Sequence, residues 1–106
     1  MSLRKSNTAE IWRYNKNSTS NWERVFKTDE HLGIRGFRFA ITYTSKDDNI
    51  PTLYFSAFTY ANSSYMLMTT DGIHFEYIDS VIPEGFSTRS MIVHEERLYM
   101  SATKSL

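Results

Sequence analysis

Thr52-Leu53-Tyr54-Phe55-Ser56-Ala57 returns close to the C-terminal end as Arg97-Leu98-Tyr99-Met100-Ser101-Ala102, with Leu-Tyr, one large apolar residue and Ser-Ala in the same order. Two further pairs of segments flank this match. Asn21-Trp22-Glu23-Arg24-Val25 corresponds to His74-Phe75-Glu76-Tyr77-Ile78, an aromatic, a glutamate, any residue and a β-branched aliphatic. Ile34-Arg35-Gly36-Phe37-Arg38 corresponds to Thr88-Arg89-Ser90-Met91-Ile92, an arginine followed by a small residue and an apolar run. Ahead of the first aromatic, Ile11-Trp12-Arg13-Tyr14 takes the place of Met66-Leu67-Met68-Thr69. The chain therefore reads as two copies of one unit, which decides the fold before any element is assigned.

The copies differ mainly by insertions at 15–20 and 45–51, both rich in Asn, Asp, Ser and Lys, the composition of loops. A period of about 50 residues falls in the range of propeller blades, and no persistent spacing near 3.6 supports a helical solenoid. Short runs of β-branched and aromatic residues bounded by turn formers predict strands. Phe37, Phe39, Ile41 and Tyr43 are expected along one face of a strand, as are Leu53, Phe55 and Ala57. Asp71-Gly72 predicts a tight primed hairpin turn, because glycine supplies a positive φ without steric cost. Glu95-Glu96 is expected to turn the last hairpin.

The strands then fall along the chain as two, four and two. The expected fold is all-β: a β-propeller fragment of about two four-stranded antiparallel blades, in which two half blades flank one complete blade at about 34–79. Residues 1–9 read as a flexible leader, with Met1-Ser2-Leu3 compatible with a cloning remnant, and 10–106 as the two-repeat segment. An eight-stranded barrel or sandwich is the alternative fold. Two repeats leave long strand edges open, since stacked repeats normally need about three units or more. The expected partners are therefore further copies of the chain, closing a ring as a trimer or tetramer, or the rest of a longer propeller chain.

Size and composition bound the function classes. At 106 residues the chain holds one core, and 41% hydrophobic residues with 15% aromatics suffice to fill it. Twelve basic residues balance twelve acidic ones, which argues against nucleic acid or an anionic membrane as partner. Cysteine is absent, so disulfides, thiolate nucleophiles and zinc-thiolate sites are excluded. No apolar run approaches the roughly 20 residues that span a bilayer, and the N-terminal segment lacks the apolar core of a signal peptide, so a soluble protein is expected. Asn17-Ser18-Thr19 and Asn62-Ser63-Ser64 fit the glycosylation triplet, a pattern common by chance.

Thr69-Thr70-Asp71-Gly72-Ile73-His74-Phe75 resembles an Asp-box, and the chain as a whole resembles the propeller repeats of the kelch and Asp-box (BNR) kind over about 10–103. It departs from the fuller pattern in having one glycine and a closing Phe, and 14–22 has lost the Asp-Gly pair. The resemblance implies a structural role for Asp71 and Gly72 in a turn at the blade periphery. It also implies a range of functions, from sialidases and other glycan-handling proteins to interaction scaffolds.

Among candidate sites, Arg35 and Arg89 each open an innermost strand near the mouth of the central channel, where guanidinium groups bind carboxylate or phosphate bidentately. Arg38 adds charge nearby. Pairing with a neighbouring carbonyl or carboxylate between blades is the competing structural role. Trp12, Trp22, Tyr54, Phe75 and Tyr99 are read as packing residues, because each recurs between copies, while Tyr60 and Tyr65 have no repeat partner. His31, His74 and His94 lack the spacing of a metal site, and no metal or other cofactor is expected. Asp47-Asp48 and Glu95-Glu96 are solvated turn carboxylates, and no Gly-x-Ser-x-Gly or phosphate loop is present. The expected function is a non-enzymatic scaffold or binding module engaging a protein or glycan through one propeller face. A fragment of a sialidase-like glycoside-acting enzyme is the alternative.

Overall fold

The structure, a computed structural model, describes residues 8–17, 19, 21–59, 64–78 and 86–104. The sequence readings at 1–7, at Tyr60, at Asp79 and at parts of both glycosylation triplets lie outside them. The fold is all-β. Its strands are β1 (Glu10–Tyr14), β2 (Trp22–Lys27), β3 (Ile34–Thr44), β4 (Pro51–Thr59), β5 (Ser64–Thr69), β6 (Glu76–Ile78), β7 (Phe86–His94) and β8 (Arg97–Lys104), with a 3-10 turn at Glu30–Leu32. They form three antiparallel sheets, β1-β2, β3-β4-β5-β6 and β7-β8. The two-four-two division and the limits of the four-stranded sheet agree with the sequence reading.

Register relates the hairpins to one another. In β3-β4 Ile41 faces Tyr54 and Ala40 faces Phe55, and in β7-β8 Ile92 faces Tyr99 and Met91 faces Met100. Both hairpins carry a bulge opposite the Ser-Ala step: Phe37 and Phe39 face Ala57 and Ser56, and Thr88 and Ser90 face Ala102 and Ser101. The outer hairpins correspond in the same way. Arg13 faces Glu23 and Trp12 faces Arg24 in β1-β2, while Met68 faces Glu76 and Leu67 faces Tyr77 in β5-β6.

Since opposed residues share a face and faces alternate along a strand, the central sheet has two distinct sides. Face A carries Ile41, Tyr43, Tyr54, Ser56, Met66 and Met68, and face B carries Ala40, Phe55, Ala57, Leu67, Tyr65 and Tyr77. The bulge at Arg38 corrects one expectation. Phe37 does not share a side with Phe39, Ile41 and Tyr43; it faces Ala57 on face B, and its ring meets Phe55 at 5.6 Å. One extra residue inverts the alternation on either side of it.

The β1-β2 hairpin covers the outer half of face B. Phe26 meets Phe75 at 5.1 Å and Tyr77 at 6.0 Å, and Phe75 meets Phe55 at 6.3 Å. The β7-β8 hairpin covers the inner half of face A, where the Tyr43 hydroxyl donates to the Glu96 carbonyl at 2.6 Å and Lys46 pairs with Glu96. Burial follows these contacts: Leu67 and Ser56 are inaccessible, Met66 and Met91 nearly so. Ala9 is buried with Ile34 and Ala57, and its N–H donates to Thr28 Oγ1 at 2.8 Å. The result is a staggered three-layer slab of 51 × 43 × 18 Å. Its radius of gyration, 15.1 Å, exceeds the about 13 Å of a closed domain of this length.

Candidate functional site

The β5-β6 connection is built by side chains. Asp71 Oδ1 accepts from the backbone N–H groups of Ile73 and His74, each at 2.8 Å, and from the Thr69 hydroxyl at 3.2 Å. Asp71 Oδ2 lies 2.7 Å from His74 Nδ1, and Gly72 N–H donates to Thr69 Oγ1 at 2.9 Å. The His74 ring and the two N–H groups hold the Asp71 carboxyl well below the usual carboxylate range. Gly72 has φ +75°, as the sequence requires of it. The tight primed turn expected at Asp71-Gly72 is not what forms, however. Six residues separate Thr69 from Glu76, because the carboxylate organises a wider loop that turns Phe75 inward against Phe26. The primed turn occurs at Glu95-Glu96, where φ is +48° and +66° between the opposed residues His94 and Arg97.

Arg13 reaches across from β1-β2. It is paired with Glu23, and its Nη1 donates to the Gly72 carbonyl at 3.3 Å. The Asp71 turn is thereby part of the contact between two stacked hairpins, a structural role.

The arginines lie on bulges. Arg35 falls between Ile34 and Gly36, which face Thr59 and Phe58, and Arg38 between Phe37 and Phe39. Arg89 occupies the bulge of β7 between Thr88 and Ser90. Register therefore equates Arg89 with Arg38 rather than with Arg35, so that Arg38, which the segment match sets against Ile92, gains an arginine counterpart. Aligned this way, Arg38-Phe39-Ala40-Ile41 corresponds to Arg89-Ser90-Met91-Ile92. That signal was present in the sequence and obscured by the length of the 45–51 insertion. The Arg38 guanidinium carbon sits 4.2 Å from the Phe58 ring centroid, and its side chain is exposed. Phe58 in turn lies over Gly36, where an added Cβ would meet the ring at 3.1 Å. Arg35 is half-buried. Of Arg89 the backbone alone is described.

Aromatics expected to be packing residues divide. Phe75 and Tyr54 are partly buried in ring clusters, but Trp12 and Trp22 are 51% and 55% exposed on the outward side of β1-β2, beside Tyr14, for which no packing role is expected. Ile92 and Tyr99 are 64% and 48% exposed on the outward side of β7-β8. Among the described residues no three His, Asp or Glu converge to hold a metal ion, and no helix is long and apolar enough to cross a membrane. No family model matches the chain, and no curated protein or solved structure matches it at a significant level.

Proposed function

We propose that the chain is a two-repeat segment of a β-propeller, similar to the kelch and Asp-box kind, acting as a non-enzymatic scaffold that binds an anionic partner or glycan at one face. The observation that carries this reading is the paired bulge. In both inner hairpins an arginine is extruded from the ladder opposite the same Ser-Ala step. Bulges re-aim side chains and concentrate beside functional sites, and an arginine repeated from blade to blade would present guanidinium groups in series to carboxylate or sulfate. The stacking order supports the same reading. β1-β2 packs outer strands on outer strands and β7-β8 inner strands on inner strands, as successive blades do.

An array of sialylated, sulfated and neutral glycans, probed with the wild type and with Arg38→Ala and Arg89→Ala, tests the proposal. Acidic glycans are expected to bind, with each substitution removing most of the signal. Binding indifferent to both places the site elsewhere. Turnover of a fluorogenic sialoside would replace the scaffold with a glycoside-acting enzyme.

A further inference from the structure

Among the described residues β1 of the first hairpin and β8 of the last pair with no further strand, each hairpin turns one apolar face outward, and the two hairpins are complementary. Within the central sheet β4 pairs with β5 in a fixed register: Leu53 faces Thr69, Tyr54 Met68, Phe55 Leu67, Ser56 Met66 and Ala57 Tyr65. The strand equivalent to β4 in the last hairpin is β8, and the strand equivalent to β5 in the first hairpin is β1. Both are edges of two-stranded sheets. A row of unpaired backbone donors and acceptors is a template for another strand.

We propose that β8 of one copy pairs antiparallel with β1 of a second copy in the β4-β5 register, completing a four-stranded blade across the boundary between copies. Leu98 then faces Tyr14 of the second copy, Tyr99 faces Arg13, Met100 faces Trp12, Ser101 faces Ile11 and Ala102 faces Glu10. This inference rests on the propeller reading above and gives it a specific partner.

The faces agree with the edges. Equivalence assigns the outward side of β1-β2, with Trp12, to face B, and the outward side of β7-β8, with Tyr99, to face A. Both contacts inside the chain are accordingly face A of one unit on face B of the next, and the intermolecular blade continues that packing. Trp12, Tyr14 and Trp22 of the incoming copy close on the outer half of face A, where Met68 and Ile78 are only partly covered. Ile92 and Tyr99 close on the inner half of face B of that copy, where Ala40 and Thr42 are exposed. Such a head-to-tail contact is heterologous, the kind that generates a ring when the rotation between copies closes. With two blades per copy, three or four copies make rings of about six or eight blades, within the about four to eight that propellers use.

The chain has no cysteine, so introduced thiols report without background. Glu10→Cys and Ala102→Cys are made in separate chains, mixed and oxidised; both positions are exposed, so neither is needed for the core. Directly opposed residues have Cβ atoms about 4.5–5.5 Å apart, close enough for a disulfide after slight adjustment. A mixed disulfide dimer is expected, and its loss when Ser101→Cys replaces Ala102→Cys, because one residue of slip turns the thiol to the other face. Light scattering of the unmodified chain is expected to give about three or four times the 12.4 kDa chain mass. Equal cross-linking of both pairs, or none, overturns the register. A 12.4 kDa monomer at every concentration overturns pairing between copies. Hydrogen exchange separates that result from failure of the propeller reading. A monomer with protected β3-β6 amides leaves the blade intact and assigns its open edges to further repeats of a longer chain, whereas unprotected β3-β6 amides overturn both.

Discussion

Thr69 and Asp71 carry the β5-β6 loop through five hydrogen bonds at most 3.2 Å long, and they answer to different tests. Thr69 is buried, so Thr69→Val leaves the Gly72 N–H without its acceptor and should cost about 1–3 kcal/mol in chemical denaturation. Asp71 is solvent-facing, and its signature is pH. Its carboxyl is depressed in the folded state relative to about 3.9 in the unfolded chain. The stabilisation is therefore complete above about pH 5 and is lost progressively as the pH falls through the unfolded value toward that of the folded group. Unfolding midpoints followed downward from pH 5 should fall in the wild type, and Asp71→Asn should flatten that segment of the profile. Ser56 behaves in the opposite sense. It is inaccessible, and its hydroxyl has no hydrogen-bond partner among the described residues. The equivalent Ser101 bonds Ser90 at 2.9 Å, but Phe39 stands in the place of Ser90. Ser56→Ala should be neutral or stabilising by up to about 1 kcal/mol in the same measurement. The Ser-Ala step that first betrays the repeat is thus kept, in this copy, for its small volume beneath β7-β8.

At the scale of elements, strands were legible and their irregularities were not. Alternation along Leu53, Phe55 and Ala57 carries through to a single face, while Phe37 and Phe39 part company because a bulge costs one residue and leaves no mark in hydrophobicity. The arginine correspondence is displaced by the length of the 45–51 insertion, since both hairpins carry the same bulge. Asp71-Gly72 looked like the tight turn because glycine was available, and Glu95-Glu96 took it because the register of β7 and β8 leaves only two residues between His94 and Arg97. Two non-glycine residues at positive φ are costly, about 1–2 kcal/mol each in the left-handed region. Replacing Glu95-Glu96 with Asn-Gly should raise the thermal midpoint, by an amount corresponding to about 1 kcal/mol; the backbone carbonyl at position 96 still accepts from Tyr43, and the ion pair with Lys46 that is lost is exposed. Leu67→Ala, in a strand flanked on both sides, should cost about 2–5 kcal/mol.

For the whole molecule, the slab exposes its two tryptophans, Trp12 and Trp22, on one outward face. Tryptophan emission is therefore an assembly probe: it should shift to the blue as concentration rises if copies close over that face, and remain at the exposed wavelength on dilution. What the sequence by itself determined is the all-β class, the two-four-two division and the pairing of Tyr54 with Tyr99 as like positions, because strand periodicity and side-chain order are local properties that a repeat states twice. The tertiary structure alone decided which residues are extruded at bulges, which face each hairpin presents and which aromatics are buried. Those depend on register between strands far apart in the chain, and on a second layer being present to cover a face, neither of which is written in the neighbourhood of any single residue.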